Sequence, residues 1–345
     1  MADTSPVEPD PHAHIDELLS KTAEELPILR QSCQDIIKCA DDDASSANDL
    51  CEIIKHDQAL LAKVITLANS ASYYISQPVI SPFQAIQIIG CDVIRSAAIG
   101  AELIERAGEH GGDSSVLKKL LARAMISATL AQELEEACKF QKNPNLFTCT
   151  MLFTLGDLVV AHFLPSIYEA LETAHYHEPE RVQALERELL GQTFQRLAGK
   201  LAKNFGLPNN IIALIETKPN LSMQQWSTTH DRLAGLVVVA NQIGNCLLSP
   251  PAPSVQDSLE ELLARLPKTL NISAHTLQVS TSTAFQKSDQ FSHILNIETQ
   301  YFSPHFAWKK SDRIASPLKD FIREILHPTQ TFQEVNSATK TVSST

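Results

Sequence analysis

Glycine is scarce in this chain, 11 residues in 345, and aromatic residues make up only 6%. A turn-rich β fold, which uses glycine in its turns and aromatics in its strands, is disfavoured on that count. None of the seven cysteines (33, 39, 51, 91, 138, 149 and 246) forms a Cys-x-x-Cys pair. An odd, scattered set reads as small buried hydrophobes in a reducing compartment, not as a disulfide frame or zinc site. Basic residues are in deficit, 28 against 40 acidic for a net charge of −12, so no nucleic-acid partner is expected for the molecule as a whole. No segment approaches the ~20 uninterrupted apolar residues of a membrane span, and Met1 to Pro11 is acidic and proline-rich rather than basic then apolar. Cytoplasmic residence without membrane insertion is the expectation. The Gly-x-Ser-x-Gly, Gly-x-x-x-x-Gly-Lys and Gly-x-Gly-x-x-Gly signatures are all missing, which removes three common nucleophile and phosphate sites.

What is present is aliphatic and helical. A hydrophobic content of 43% over this length can fill a real core, and the apolar residues repeat with helical spacing almost throughout. Residues 47–56 follow a capping start at Ser46. Leu60, Leu61, Val64, Leu67, Ala68 and Ala71 form one apolar face, and Ser81-Pro82 opens a short helix that Gly90 stops. Longer helices are predicted over 91–107, 114–140, 146–162, 166–176, 179–190, 192–205 and 222–248, with another opened by Pro208. Pro250 to Pro253 reads as a stiff linker before two or three helices in 254–295. No strand and no fixed-period repeat is found, so the fold class is all-α. The segments divide into a polar tail (1–14), an N-terminal helical subdomain (15–110) ending at the Gly-rich break around Gly108 to Gly112, and a helical bundle (111–297). An aromatic and amphipathic extension (298–333) and a Ser/Thr-rich tail (334–345) follow.

The stretch Met151-Leu152-Phe153-Thr154-Leu155-Gly156-Asp157-Leu158 resembles the metal-binding helix of HD-type phosphohydrolases, which reads apolar-apolar-His-Asp-apolar-Gly. Phe153 and Thr154 stand where the resemblance places the ligand His and Asp, and neither side chain supplies an imidazole nitrogen or a carboxylate oxygen. Several further segments are similar to the HDOD module, the HD-related output domain of bacterial signalling proteins. They are Asp57 with Leu60 on one helix, Asn69-Ser70-Ala71, Ile80 through Ala85 to Gly90, Glu186 with Leu190-Gly191, and Phe205-Gly206-Leu207-Pro208. The resemblance runs from about Ile15 to Ile297. It departs from metal-binding relatives again at Phe194, where many have His, and at Ile215 to Pro219, where a His pair is common. No His lies between His110 and His162, so the early His of the superfamily is missing too. The resemblance implies a multi-helix HDOD bundle, a non-catalytic regulatory module without cofactor, and an unidentified signalling protein as partner. Asp57, Leu60, Asn69, Ser70, Ala85, Gly90, Gly156, Gly206 and Pro208 are then expected to be structural, Asp57 as a helix cap and Asn69-Ser70 as helix-terminating hydrogen-bonding groups.

Two other readings stay open. A metal-dependent phosphohydrolase would have to use nonstandard ligands drawn from Asp157, His162, His175, His177, His230 and Asp231. Successive residues on a helix point about 100° apart, so the His230-Asp231 pair would need partners from elsewhere. Beside acidic Glu172, Glu178 and Glu180, His175 and His177 read as a solvated helix end. The third reading is a receptor for a cyclic dinucleotide or other nucleotide.

The extension carries four aromatics in eight residues, Tyr301, Phe302, Phe306 and Trp308, then the stripe Ile314, Leu318, Phe321, Ile322, Ile325 and Leu326 behind Ser316-Pro317. Such a stripe either docks on the chain's own bundle or forms a contact with a partner or a second copy in a homodimer. With Leu152, Phe153, Leu155 and Val159 apolar, the place where relatives hold metal is expected to be dry, metal-free and filled by packing.

Overall fold

The computed structural model describes residues 35–36, 47–69, 78–91, 94, 114–143, 146–178, 181–204, 209–216, 226, 228–289, 292, 297–305, 308 and 316–326. Both tails, all but Cys91 and Ile94 of the helix expected over 91–107, the Gly108–Gly112 break, the Ser46 cap, Ser70, the Gly206-Leu207-Pro208 turn, Phe306 and Ile314 lie outside these residues. Among the described residues every regular element is helical, in keeping with the all-α expectation.

The N-terminal helices are α1 (Ala47–His56), α2 (Gln58–Ala68) and α3 (Pro82–Ile89). Their local signals are read directly. Asp57 Oδ1 accepts from Leu60 N at 3.0 Å, capping α2. Ser81 Oγ accepts from Gln84 N at 3.2 Å and Pro82 occupies the first turn, while Gly90, at φ +92°, ends α3 in a conformation that side chains with a Cβ avoid. Asn69 does more than terminate α2. Its Oδ1 accepts from Val79 N, and its Nδ2 donates to Val79 O, each at 2.8 Å, so a single side chain ties the end of α2 to the segment entering α3.

The bundle is organised around α4 (Ser114–Ala137), whose residues are buried nearly all round. A helix packed on every side has no wet face to keep polar, which explains its weak amphipathicity. Around it pack α5 (Leu146–Leu152), α6 (Leu155–Phe163), α11 (Thr229–Leu248) and α13 (Ala274–Asp289). Outside these lie α7 (Pro165–His177), α8 (Val182–Leu190), α9 (Phe194–Asn204), α10 (Asn209–Glu216) and α12 (Pro253–Leu270). Of the proline stretch expected as a linker, Pro250 to Ala252 joins α11 to α12 outside either helix, and Pro253 opens α12 in its first turn, where no amide hydrogen is needed. The helix expected from 222 begins only at Thr229, because Thr228 and Asp231 close a reciprocal capping box, with Asp231 N donating to Thr228 Oγ1 at 3.0 Å and Thr228 N to Asp231 Oδ2 at 3.1 Å.

One boundary matters for function. The continuous helix expected over 146–162 is two helices, broken at Phe153-Thr154. Thr154 Oγ1 donates back to Met151 O at 3.1 Å, a local bond that competes with the helical ladder. The span Leu146–Phe163 is apolar enough to cross a membrane by length and composition, yet 78% of it is buried inside the bundle. Among the described cysteines, burial pushes the thiols of Cys149 and Cys246 up to about 12, so both act as small hydrophobes.

The C-terminal extension docks on its own chain. A 3-10 turn (Thr299–Phe302) packs on α4, and α14 (Ser316–Leu326) packs on α13. Phe302, Trp308, Leu318, Phe321, Ile322 and Ile325 are buried, and Tyr301 is half-buried. Of the two readings of these candidate interaction residues, docking on the chain's own bundle is the one the contacts show: the described part of the stripe packs on α13 and is buried.

Candidate functional site

The break at Phe153-Thr154 turns both residues toward a cavity of about 420 Å³ between α4, α6, α7, α8, α9 and α11. The expectation of a dry, filled centre is overturned. Leu152, Leu155 and Val159 do pack into the core, but the cavity lined by Phe153, Thr154 and Asp157 has charged and amide walls and room for water.

A chain of polar contacts crosses it. Arg123, projecting from α4, donates through Nη2 to Asp157 Oδ1 on α6 at 2.7 Å and through Nη1 to Asn245 Oδ1 on α11 at 2.9 Å. Asn245 thereby turns its amide nitrogen to His175 Nε2 on α7, at 2.6 Å. That ring nitrogen must accept, so His175 is neutral with its proton on Nδ1. At the rim, Lys119 pairs with Glu172 at 2.9 Å. The buried Glu186 of the family motif accepts from Phe194 N at 3.3 Å, a carboxylate placed at the start of α9 where free amides and the helix dipole favour it.

Burial lowers the pKa of His175, with the Arg123 charge adding to the effect and Asp157 and Glu172 opposing it. The folded value lies below the ordinary 6.5, so the unfolded chain takes up the proton first. This histidine makes no pH-dependent contribution above that value and destabilises the fold progressively as pH falls from 6.5 toward the folded value. Replacing His175 by glutamine is expected to flatten the fall in melting temperature between pH 7 and pH 5. Thermal melts across that range check it, and parallel profiles for parent and variant would refute it.

Of the six alternative ligands, only Asp157 and His175 share the cavity wall. The reading of His175 as solvated is corrected: Asn245 and Arg123 draw it into the bundle. His177 and His230 are exposed, Asp231 is engaged in the capping box, and His162 packs edge-on against Phe163 at 4.5 Å. Among the described residues no group of three or more His, Cys, Asp and Glu is placed to hold a metal ion. The side chains present do not fit one. Phe153 and Thr154 offer no imidazole or carboxylate, Asp157 is bound to the Arg123 guanidinium, whose positive charge opposes a second cation, and the other two carboxylates on the wall are engaged, Glu172 with Lys119 and Glu186 with the Phe194 amide.

Sequence reasoning missed Arg123, Asn241 and Asn245. The signals were a lone charge inside the apolar run Leu120 to Ile126, and two amides four residues apart on the apolar Thr229–Leu248 helix, which share a face.

The family model for the HDOD domain matches residues 26–221, and no protein with a curated description matches. Among solved structures, an HDOD domain protein of unknown function from Geobacter sulfurreducens is similar at 18% identity, with a TM-score of 0.61 over 82% of this chain and 98% of that one. A proposed phosphohydrolase from Shewanella amazonensis SB2B gives 21% identity and 0.58, over 81% and 97%. A proposed signal transduction protein from Marinobacter aquaeolei VT8 gives 19% and 0.54, over 84% and 67%. At these identities the likeness to solved structures is one of fold.

Proposed function

Because the chain belongs to the HDOD domain family, we propose that it is a regulatory signalling module that works by contact with another protein and carries out no metal-dependent hydrolysis. The observation that carries this reading is the donor set at the cavity: Phe153, Thr154 and Phe194 at the ligand positions, and Asp157 held by Arg123. Hydrolysis in this superfamily needs a metal-activated water, and these side chains offer no place to make one.

A second observation supports contact with a protein. The large hydrophobic side chains exposed among the described residues are Ile80, Phe83 and Ile88, of which Ile80 is 83% exposed. Phe83, Gln84, Gln87 and Ile88 share the outer side of α3, a helix without a single charged residue, while Ala85, Ile86 and Ile89 fill the core beneath. An uncharged, partly apolar exposed face is costly in water unless a partner covers it.

Protein purified without chelators is expected to hold no stoichiometric manganese, iron, zinc or magnesium and to leave bis-p-nitrophenyl phosphate intact. About one equivalent of metal accompanied by turnover would overturn the non-catalytic reading. For the contact, crosslinking of the full chain in its host should yield an adduct that Phe83→Asp with Ile88→Asp abolishes at unchanged melting temperature. No adduct from the parent, or equal adducts from both, would sink it.

A further inference from the structure

We infer that the cavity beside Phe153 is a binding site for an uncharged, planar nitrogen heterocycle that carries N–H donors and no phosphate. Its charged groups are already engaged within the wall: Arg123 is paired with Asp157 at 2.7 Å and Glu172 with Lys119 at 2.9 Å, and Glu186 accepts from the Phe194 amide at 3.3 Å. A phosphate would meet a guanidinium that is already neutralised, with two further carboxylates nearby, and a cation would meet the guanidinium itself. Neither sign of charge is invited.

What the wall leaves over is acceptors and ring faces. Asn241 is 7% exposed and its Oδ1 has no hydrogen-bond partner. Its Nδ2 is committed to Thr150 O at 3.2 Å and Val237 O at 2.9 Å, which fixes the amide so that only the oxygen remains, and an amide oxygen can only accept. Gln195 adds a second buried acceptor without a partner, its Oε1. Both oxygens are covered at rest: half-buried Gln195 turns its amide to a bound donor, whereas the Asn241 amide is held and its oxygen is reached as the cavity wall gives. Phe153, Tyr168 and Phe194 line the same cavity, the last two with ring centroids 6.4 Å apart and planes tilted by 33°. Donor edge to amide oxygens and ring face to phenyl is how a flat heterocycle is held. The volume of about 420 Å³ falls in the range of about 300–1,000 Å³ usual for small-molecule sites.

The inference extends the reading above, since a bound small molecule would set the state of a module that signals without consuming it. Calorimetric titration of the full chain with guanosine and adenosine tests it, with GMP and cyclic diguanylate as the phosphate-bearing comparisons. At least one nucleoside is expected to saturate a single site and raise the melting temperature, with its phosphate forms weaker by roughly tenfold or more. Removing an acceptor through Gln195→Met or Asn241→Leu should weaken binding by roughly tenfold. Asn241 also holds two backbone carbonyls, so Gln195→Met, at a half-buried position, is the deciding variant. No nucleoside binding at millimolar concentration, phosphate forms that bind as tightly, or parental affinity in Gln195→Met would each overturn the site. Nucleoside recovered unchanged by chromatography supports it, whereas conversion during incubation would overturn the non-catalytic reading and leave the binding site standing.

Discussion

Gly156→Ala is expected to destabilise the fold by about 3 kcal/mol or more, a large share of the roughly 5–15 kcal/mol that holds a typical domain folded. In an isolated helix the same change would stabilise by about 1 kcal/mol, because alanine has the higher helix propensity. Here packing decides the sign. A Cβ on Gly156 would overlap the carbonyl oxygen of Phe194 and lie 2.9 Å from its carbonyl carbon. Those atoms are backbone of α9 and cannot rotate aside, so α6 and α9 would have to part, and the cavity wall with them. Urea denaturation of parent and variant measures the effect. A variant as stable as the parent, or more so, would show that the close approach of α6 to α9 is wrong.

Trp308→Ala is expected to cost about 3–5 kcal/mol, the range for emptying a large buried aromatic site. The indole is 3% exposed and donates from Nε1 to Ser249 O at 3.0 Å. His305 N donates to Leu247 O at 2.9 Å close by, so the residue fastens the extension to the end of α11. Trp308→Phe keeps most of the apolar contact and loses the indole donor, and about 1–3 kcal/mol is expected for it. Graded losses in denaturant midpoint, alanine larger than phenylalanine, are the predicted pattern. If Trp308 were instead an exposed partner anchor, both variants would melt like the parent.

Local features were legible because their partners are close in sequence. The Asp57 cap reaches three residues, as does the Ser81 cap, and Gly90 stops α3 through its own φ angle. The capping box of Thr228 and Asp231 is equally local, its two members standing three residues apart. The helix break at Phe153-Thr154 was not legible. Nothing in an apolar stretch marks where a hydroxyl will turn back on its own ladder.

The candidate site divides in the same way. That Phe153 and Thr154 supply neither an imidazole nitrogen nor a carboxylate oxygen follows from the atoms of their side chains, wherever they sit. Whether the space beside them closes depends on how α4, α7, α8, α9 and α11 approach one another, and apolar residues on α6 alone do not decide it. Arg123 meets Asp157 across 34 positions and Asn245 across 122, while Asn245 meets His175 across 70. No periodicity carries such pairings.

By itself the sequence determined the all-helical class, the HDOD resemblance and the lack of an imidazole or carboxylate at Phe153 and Thr154, because propensity, capping and ligand chemistry belong to single residues and near neighbours. Only the tertiary structure decided that the space beside Phe153 is an open polar cavity with Arg123 bound to Asp157, and that the aromatic extension lies in the core. Both outcomes are set by contacts between helices far apart in the chain, where the burial of apolar area and the pairing of charge are settled together.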